Sequence, residues 1–337
     1  TRKLRALWCL ASINAAPEPW LLQLLNHPSA HIRLWAVQLL TDSPEQLNLV
    51  ANSFTKLAET ETSPLVRLFL ASALQKLPLQ RRWSLAEKLA MQQDDSGDRV
   101  QPLLIWYGIE SAVMDNPNQA IQLAQNTYMP LLRRHTARRL ASEIDSHPQY
   151  ISTLLVAAAK ASPDRAIDYL EGMTHAFRGR RKLTAQPPWL TLLQQHQNVG
   201  NPRINALANE LLVLFGDGRT VDSLLKLAQD KDADPAARKQ ALRVVMETGT
   251  DQLNRTLLSL KSDRIVGADA IRGLAQHAST KAPEQLLNMY GNAKHDHRPA
   301  IIETLASRRE YAIALLQGIA DGNIAAVDIP AGTASRI

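Results

Sequence analysis

The chain has 337 residues, of which 45% are hydrophobic and 21% are charged, and its formal net charge is +6 at pH 7. No window approaches the ~20 apolar residues of a bilayer-spanning helix, so the sequence predicts no membrane span. Alternating runs of β-branched and aromatic residues are missing as well, which argues against strands. The single cysteine, Cys9, excludes an intrachain disulfide and a Cys-x-x-Cys site.

The first eight residues predict a helix rather than a signal peptide, and the sequence has no initiating Met. We therefore expect a segment of a longer protein, whose targeting signal would lie elsewhere.

One helical phrase occurs twice, at residues 32–40 and 66–74, and its arginines, Arg33 and Arg67, are 34 residues apart. In both copies the apolar residues fall at i, i+3, i+4, i+7 and i+8, the pattern of one buried helix face. This period is typical of stacked two-helix units that cannot bury their apolar faces alone. The sequence thus predicts an all-α fold, an α-solenoid of HEAT-like two-helix repeats, with Trp35 and Phe69 in equivalent buried positions.

Weaker copies of the phrase begin near Pro202, Pro235, Asp263 and Arg298, so we expect one solenoid over residues 1–325. Residues 326–337 are predicted to be a linker or the start of a following module. Four tryptophans in apolar phrases are expected in the core: Trp8, Trp35, Trp83 and Trp106.

Two irregular breaks interrupt the repeats. Residues 92–101 contain Asp94-Asp95-Ser96-Gly97-Asp98, which by composition is a solvated loop without the ligand spacing of a calcium site. The second break, residues 177–189, is longer than a simple joint needs. Its four cations and one tryptophan are predicted to form a partner-binding surface, with Trp189 exposed as the aromatic anchor: Arg178, Arg180, Arg181, Lys182 and Trp189.

Signatures of catalysis are missing: the sequence has no phosphate-binding glycine loop, Gly-x-Ser-x-Gly elbow or His-Glu-x-x-His helix. His295-Asp296-His297 suggests a metal, but i, i+2 spacing on a helix points the two rings apart. A polar turn explains it equally well. We expect no catalytic residue, no metal site and no cofactor in this segment.

The cations admit three interpretations. A basic face could hold a nucleic-acid backbone, but we favour a structural role because the excess of cations is small and no aromatics are interleaved with them. In that role Arg138 and Arg139 would tie helices through carboxylates such as Glu110, Glu143 and Asp145. Alternatively, a central polar cluster near Arg180 would bind a small ligand, and its members would be Trp106, Glu110, Arg138 and Arg139.

Several irregular phrases together resemble one family. They run from Pro102 through Trp106-Tyr107 to Glu110, from Arg133 to Leu140, over Gly172-Met173 with residues 179–182 and Pro188-Trp189, over Phe215-Gly216-Asp217, and over residues 305–308. They resemble the helical-repeat region of the PVC-type haem-binding Cys-x-x-Cys-His proteins, across nearly the whole chain.

That resemblance implies a large extracytoplasmic (periplasmic) bacterial protein in which the HEAT-like region lies between a dehydrogenase-like β-propeller and a c-type cytochrome domain. The c-type haem would then belong to a separate domain, because its attachment motif is absent from this sequence. The function predicted for this segment is a non-catalytic scaffold that positions the flanking redox domains, with proteins rather than nucleic acid as partners.

Overall fold

The computed structural model describes residues 2–42, 47–180, 183–197, 200–248, 253–277, 280–294 and 296–334. These residues form α-helices joined by short turns, and no strand occurs among them. The helices are α1 (Arg2–Ser12), α2 (Glu18–Leu24), α3 (Ala30–Thr41), α4 (Leu47–Thr60), α5 (Pro64–Ala73), α6 (Leu79–Ala90), α7 (Gln101–Ile109), α8 (Pro117–Asn126), α9 (Pro130–Ala141), α10 (Gln149–Lys160) and α11 (Pro163–Ala176). They continue with α12 (Pro187–Gln197), α13 (Pro202–Leu214), α14 (Gly218–Gln229), α15 (Pro235–Thr248), α16 (Leu253–Leu260), α17 (Gly267–Gln276), α18 (Ala282–Tyr290), α19 (His297–Leu305), α20 (Arg309–Ala320) and α21 (Ala331–Ala334).

From α2 to α11 the helices form pairs, which confirms the predicted all-α repeat fold. The second helix of each pair packs on the second helix of the next, so that α3, α5, α7, α9 and α11 form one layer. The first helices α4, α6 and α8 form the other layer. Five of the second helices begin with proline, whose missing N–H costs no hydrogen bond in a first turn. These residues are Pro64, Pro130, Pro163, Pro202 and Pro235.

Contacts divide the chain into two compact units. Unit 1 comprises Thr1–Arg178 with Gln195–Leu207, and unit 2 comprises Gly179–Gln194 with Ala208–Ile337. Two of the boundaries fall within α12 and α13, and the third, between Arg178 and Gly179, falls in the joint after α11. One solenoid over residues 1–325 stays a prediction. None of the described helices is long and apolar enough to span a bilayer.

Unit 2 has a core of its own between paired helices. Alternate helices α15, α17 and α19 are in contact, and α14, α16 and α18 pack on them in turn. Buried Leu257, Ile271 and Ile301 lie in this core, fully shielded from solvent. After α20 the chain forms a short 3-10 turn (Ala326–Asp328) and then α21. Residues 326–334 therefore form two short helical turns, and residues 335–337 of the predicted linker lie outside the described residues.

An arginine near the start of a second helix links neighbouring pairs in unit 1. Arg33 of α3 reaches Glu61 in the next joint, with Nε–Oε2 at 2.7 Å and Nη2–Oε1 at 2.6 Å. Its Nη1 also donates to the carbonyls of His27 and Pro28 in its own joint. Arg67 of α5 repeats the arrangement: it donates to the Glu61 carbonyl behind it and to Asp95 in the joint ahead. Each guanidinium therefore fastens its own joint to the following one.

Two further arginines act in the same way. Arg133 of α9 donates to carbonyls of its own joint and, at 2.7 Å, to Asp168 of α11. In unit 2, Arg238 of α15 donates to the Ala228 carbonyl and, at 2.7 Å, to Asp263. Arg133 and Arg238 are each only 2% exposed, so these cations are buried with their charges matched.

The first break is solvated as its composition predicts at Asp94, Gly97 and Asp98, which are exposed, but not at Asp95. Residues 93–95 form a 3-10 turn (Gln93–Asp95), and Asp95 is only 4% exposed. Its carboxylate accepts hydrogen bonds from Arg67 and from Gln101 at the start of α7. Asp95 is thus a buried acceptor. The sequence did not reveal this, because the arginine that neutralises its carboxylate lies 28 residues away.

Two of the four tryptophans predicted in the core are there. Trp83 and Trp106 are 4% and 5% exposed, whereas Trp8 is 40% exposed and Trp35 is half-buried. Phe69 is half-buried too, so Trp35 and Phe69 are equivalent in the repeat but not fully buried as expected. The physical reason is their register. Trp35 and Phe69 each lie at the edge of the buried face of their helix, where the neighbouring helix covers the ring only in part.

Candidate functional site

A row of rings runs along the second helices of unit 1. Trp35, Phe69, Trp106 and His135 are each the sixth residue of their helix, in α3, α5, α7 and α9. Trp8 of α1 meets Trp35 edge to face, with ring centroids 5.1 Å apart. At the other end Trp106 and His135 stack, with centroids 5.3 Å apart and planes 19° apart. We call these five residues the aromatic row.

The two ends of the aromatic row differ in what they offer to solvent. Trp8, Trp35 and Phe69 keep part of their ring surface exposed. Trp106 is 5% exposed because the imidazole of His135 covers it. The end of the row on α1, α3 and α5 is therefore apolar and accessible. At the α7–α9 end, the polar imidazole of His135 covers the ring of Trp106.

In α11 the sixth position is occupied by a carboxylate, Asp168, and here the row gives way to an ionic network. Asp168 pairs with Arg133 at 2.7 Å and with Arg134 at 3.3 Å. Glu171, one turn on, pairs with Arg134 at 3.0 Å and with Arg203 of α13 at 2.6 Å. The Arg134 Nε lies close to Glu171 without hydrogen-bond geometry, so that contact is an ion pair only. The network ties α9, α11 and α13 together.

A close helix crossing makes this network possible. A Cβ built on Gly172 of α11 would lie 2.5 Å from the Arg134 carbonyl oxygen and 2.6 Å from the Ala137 Cβ of α9. Only glycine permits that approach without displacing backbone. The Asp168 and Glu171 carboxylates are thereby brought within reach of the α9 guanidiniums.

Two histidines and two arginines lie beside this crossing, and we call His135, Arg138, His175 and Arg178 the cationic cluster. Arg138 and Arg178 are exposed, and His135 and His175 are half-buried. Burial lowers the pKa of His135, and the charges of Arg138 and Arg134 lower it further, against an opposing effect of Glu110 and with a smaller lowering by His175.

Burial also lowers the pKa of His175, and the charge of Arg178 adds to that effect. Glu171 opposes it, while Arg134 and Arg138 contribute smaller lowering effects. Both imidazoles therefore favour the neutral form more strongly than a solvated histidine does.

The predicted central polar cluster is brought together in part. Glu110 is exposed, and it, Trp106 and Arg138 all lie around His135. Arg139 is one residue further round α9 and instead pairs with Glu143, in the turn that follows α9. That pair uses the predicted Glu143, but it joins the end of α9 to the turn after it and does not tie two helices together. A small-ligand pocket at Trp106 is not supported, since its ring is closed by His135.

A shallow groove does exist elsewhere in unit 1, between the carboxyl ends of α6 and α8. Glu87, Lys88 and Met91 line one side, and Gln122 and Asn126 the other. It shares no residue with the aromatic row or the cationic cluster.

The second break is placed only in part as predicted. Arg178 and Arg180 are exposed, whereas Arg181 and Lys182 lie outside the described residues. Trp189 is 1% exposed and packs on Phe215, with centroids 5.4 Å apart, so it is no exposed anchor. The reason is that Pro187 and Pro188 begin α12 rather than a loop, which places Trp189 in the first turn of a buried helix face.

No group of three or more metal-ligating side chains occurs among the described residues. Of the His295-Asp296-His297 motif, His295 lies outside the described residues and His297 is 2% exposed at the start of α19.

Sequence reasoning missed six residues of this region. They are Arg134, His135, Asp168, Glu171, His175 and Arg203. The signal that could have found His135 was the repeat itself. Aligning α9 on Arg133, as α3 and α5 align on Arg33 and Arg67, puts His135 in register with Trp35 and Phe69.

No protein-family model and no curated protein matches the chain. Among solved structures, the chain is similar to Kap121p, with a TM-score of 0.58 and 16% identity over 90% of this chain and 38% of that chain. Kap121p bound to Pho4p gives 0.57 and 18% over the same shares. The karyopherin Kap121p bound to the extreme C-terminus of the protein phosphatase Cdc14p gives 0.50 and 13%, over 90% and 43%. The chain thus spans about two-fifths of these neighbours, and it shares their fold of stacked helices.

Proposed function

We propose that unit 1 is a non-catalytic protein-interaction module that binds an extended segment of a partner protein along the aromatic row. The observation that carries this proposal is the repeated placement of partly exposed rings. Trp35 and Phe69 present apolar surface at the same position of consecutive helices, with Trp8 beside them. Aromatic side chains at regular spacing are the anchors that protein interfaces favour.

The fold supports this proposal. Kap121p, which has the same helical fold over 90% of this chain, is known in complex with Pho4p and with the extreme C-terminus of Cdc14p. A protein terminus is a segment of the kind that we propose for unit 1. Stacked repeats suit such ligands because successive helices offer equivalent contacts along an extended chain.

The ionic groups favour binding over catalysis. Asp168 is shared between Arg133 and Arg134, and Glu171 between Arg134 and Arg203. Carboxylates saturated by guanidiniums hold helices in place and are poorly suited to accept a proton from a substrate.

The partner that we propose is a flanking module of a longer extracytoplasmic protein with redox domains. The support is the sequence resemblance to PVC-type haem-binding proteins, carried by the phrases around Trp106, Arg138 and Gly172. In that arrangement the c-type haem belongs to a neighbouring domain, and unit 1 holds a segment of that domain or of its linker. Sequencing the regions that flank these residues tests the idea. A propeller before them and a Cys-x-x-Cys-His motif after them are expected, and unrelated flanks would contradict it.

Peptide display tests the binding function without a known partner. A library of random peptides about 15 residues long, which span ~50 Å when extended, is selected against the purified chain. Enriched peptides are synthesised and titrated by fluorescence anisotropy. Trp35→Ser and Phe69→Ser are each expected to weaken binding about fivefold or more, the loss of one anchor side chain.

Leu49→Ser is the matched control. Leu49 is 68% exposed on α4, in the layer of first helices, and should not affect binding. Selection of no binding peptide, or equal losses in Leu49→Ser and Phe69→Ser, would contradict the proposed function.

A further inference from the structure

Among the described residues of unit 1, the cations at the cationic cluster outnumber the carboxylates that face it. Of the neighbouring carboxylates, Asp168 and Glu171 are occupied by Arg133, Arg134 and Arg203, and Glu110 is the single one left facing His135. In the described part of the chain, neither Arg138 nor Arg178 makes a salt bridge with a carboxylate, and both are exposed. The cluster thus offers two free guanidiniums beside two imidazoles.

We propose that Arg138 and Arg178 bind acidic side chains of the partner segment, and that His135 and His175 take up protons as that segment binds. This inference rests on the proposed function and adds the chemistry of the ligand to it. The segment is expected to place apolar side chains against Trp35 and Phe69 and carboxylates against the cationic cluster. Aspartate and glutamate match guanidinium geometry and carry the complementary charge.

A protein ligand fits this cluster better than a nucleic acid. Trp106, the ring nearest to the cations, is closed by His135 and has no free face on which a base could stack. The exposed carboxylate of Glu110 faces His135, where it would repel a continuous run of phosphates. Discrete acidic side chains can be placed around Glu110, whereas a phosphate backbone has a charge at every step.

Proton uptake follows from the surroundings of the imidazoles. His135 faces Arg134, Arg138, Glu110 and His175, and cations outnumber the single carboxylate. This setting keeps the pKa of His135 below its usual value in the free protein. A bound carboxylate reverses the balance of charge and raises that pKa, so binding becomes coupled to protonation.

His175 has the same kind of surroundings. It faces Arg178, Glu171, Arg134 and Arg138, and the charge of Glu171 is already shared between Arg134 and Arg203. An additional carboxylate from the partner would therefore favour its charged form as well. Affinity is expected to rise as pH falls from about 7.5 towards 5.5, while glutamates of the ligand stay ionised above their pKa of about 4.3.

The test uses a defined probe, a fluorescein-labelled peptide of about 12 residues that carries two leucines followed by alternating glutamates and spans ~40 Å when extended. Its binding to the full chain is measured by anisotropy, with a Glu-to-Gln peptide as control. We expect the acidic peptide to bind about tenfold more tightly, a difference that shrinks as salt is added. Arg138→Gln with Arg178→Gln should remove this difference.

A double variant with the same loss of charge is the protein control. Arg99 and Arg255 are exposed and lie outside the cluster, so Arg99→Gln with Arg255→Gln should leave binding unchanged. His135→Gln with His175→Gln should abolish the rise in affinity at low pH but keep binding at about pH 7.5, where the imidazoles are neutral.

Failure of this inference is distinguishable from failure of the proposed function. Equal binding of the acidic and Gln peptides, with losses in Phe69→Ser, would overturn the acidic specificity and leave the peptide-binding function standing. Tighter binding of a single-stranded oligonucleotide that depends on Arg138 and Arg178 would replace the protein ligand with a nucleic acid. Absence of binding by either peptide would overturn the inference as well.

Discussion

The guanidinium of Arg67 and the carboxylate of Asp95 form a two-point ion pair, with Nε 2.6 Å from Oδ2 and Nη2 2.7 Å from Oδ1. Both side chains are nearly inaccessible, at 4% and 5% exposure. Arg67 lies in α5 and Asp95 in the joint before α7, so the pair crosses from one helical pair to the next. Because the pair is buried, removal of either Arg67 or Asp95 leaves the other as an uncompensated buried charge.

Arg67→Met is therefore expected to lower the free energy of unfolding by about 3–5 kcal/mol, the usual cost of leaving one buried partner uncompensated. Urea denaturation followed by circular dichroism measures this. Combining it with Asp95→Leu should recover most of the loss, since no charge then remains buried. The exposed pair Lys76–Asp42 provides the control: Lys76→Met should change stability by less than about 1 kcal/mol. A double variant as unstable as the single one would argue against this account.

Trp189 and Trp35 are expected to differ in their contribution to stability. Trp189 is 1% exposed against Phe215, so Trp189→Ala should cost about 3–5 kcal/mol. Trp35 keeps part of its ring exposed, so Trp35→Ala should cost less than Trp189→Ala, in proportion to the smaller area that it buries. Thermal and urea unfolding of the two variants side by side give the comparison. A larger loss in Trp35→Ala would mean that burial in these helices is assigned incorrectly.

Gly172→Ala should separate α9 from α11. The added methyl group would meet the Arg134 carbonyl at 2.5 Å, and backbone cannot rotate out of the way. Overpacking of this kind costs about 1–3 kcal/mol. Relative to the wild type, hydrogen exchange should become faster for the α9 and α11 amides and stay unchanged for the α4 amides. Gly97→Ala is the matched control because a Cβ added to Gly97 would have no atom within 4 Å of it. Equal behaviour of both variants would contradict a close crossing at Gly172.

Acid should weaken the first inter-repeat link through Glu61. Burial raises the pKa of Glu61, but the hydrogen bonds from Arg33 and the Ser63 amide, together with the charges of Arg33 and Arg67, outweigh burial and hold this pKa below its usual value. A carboxyl group of this kind stabilises the fold fully above its unfolded pKa of about 4.3. That contribution is lost as pH falls through the lower pKa of the folded state.

The stability difference between the wild type and Glu61→Gln should hence be constant from about pH 7 to 5 and shrink below about pH 4. Urea unfolding at several pH values measures it. Glu59→Gln, which changes an exposed carboxylate paired with Lys88, should show a small difference throughout. A difference for Glu61→Gln that does not depend on pH would disprove the linkage.

The repeat fold was accessible from sequence because its signal is local. Arg33 and Arg67 recur in the same apolar phrase, and the 3.6-residue period identifies the buried face of each helix. Their partners, Glu61 and Asp95, each lie 28 residues after the arginine and so keep the repeat period, but they lie in joints without helical periodicity, where a carboxylate is expected to be solvated. Arg133 finds its carboxylate inside a helix instead, at Asp168.

The candidate site was accessible only in part for a related reason. Trp106, Glu110 and Arg138 were identified as one cluster from composition and proximity along the chain. His175 joins them only through the crossing at Gly172, which depends on the angle between two helices. Trp189 was misplaced because Pro187-Pro188 can end one element or begin another, and sequence alone does not distinguish the two.

The links made by Arg33, Arg67 and Arg133 each connect a helical pair to its immediate neighbour. Under tension applied to its ends, unit 1 would consequently yield one pair at a time. Each event would release about 34 residues, or at most ~120 Å of extended chain. A segment bound across several pairs would lose its contacts in the same sequence. Mechanical load would therefore release a bound ligand from this surface without any change in the ligand itself.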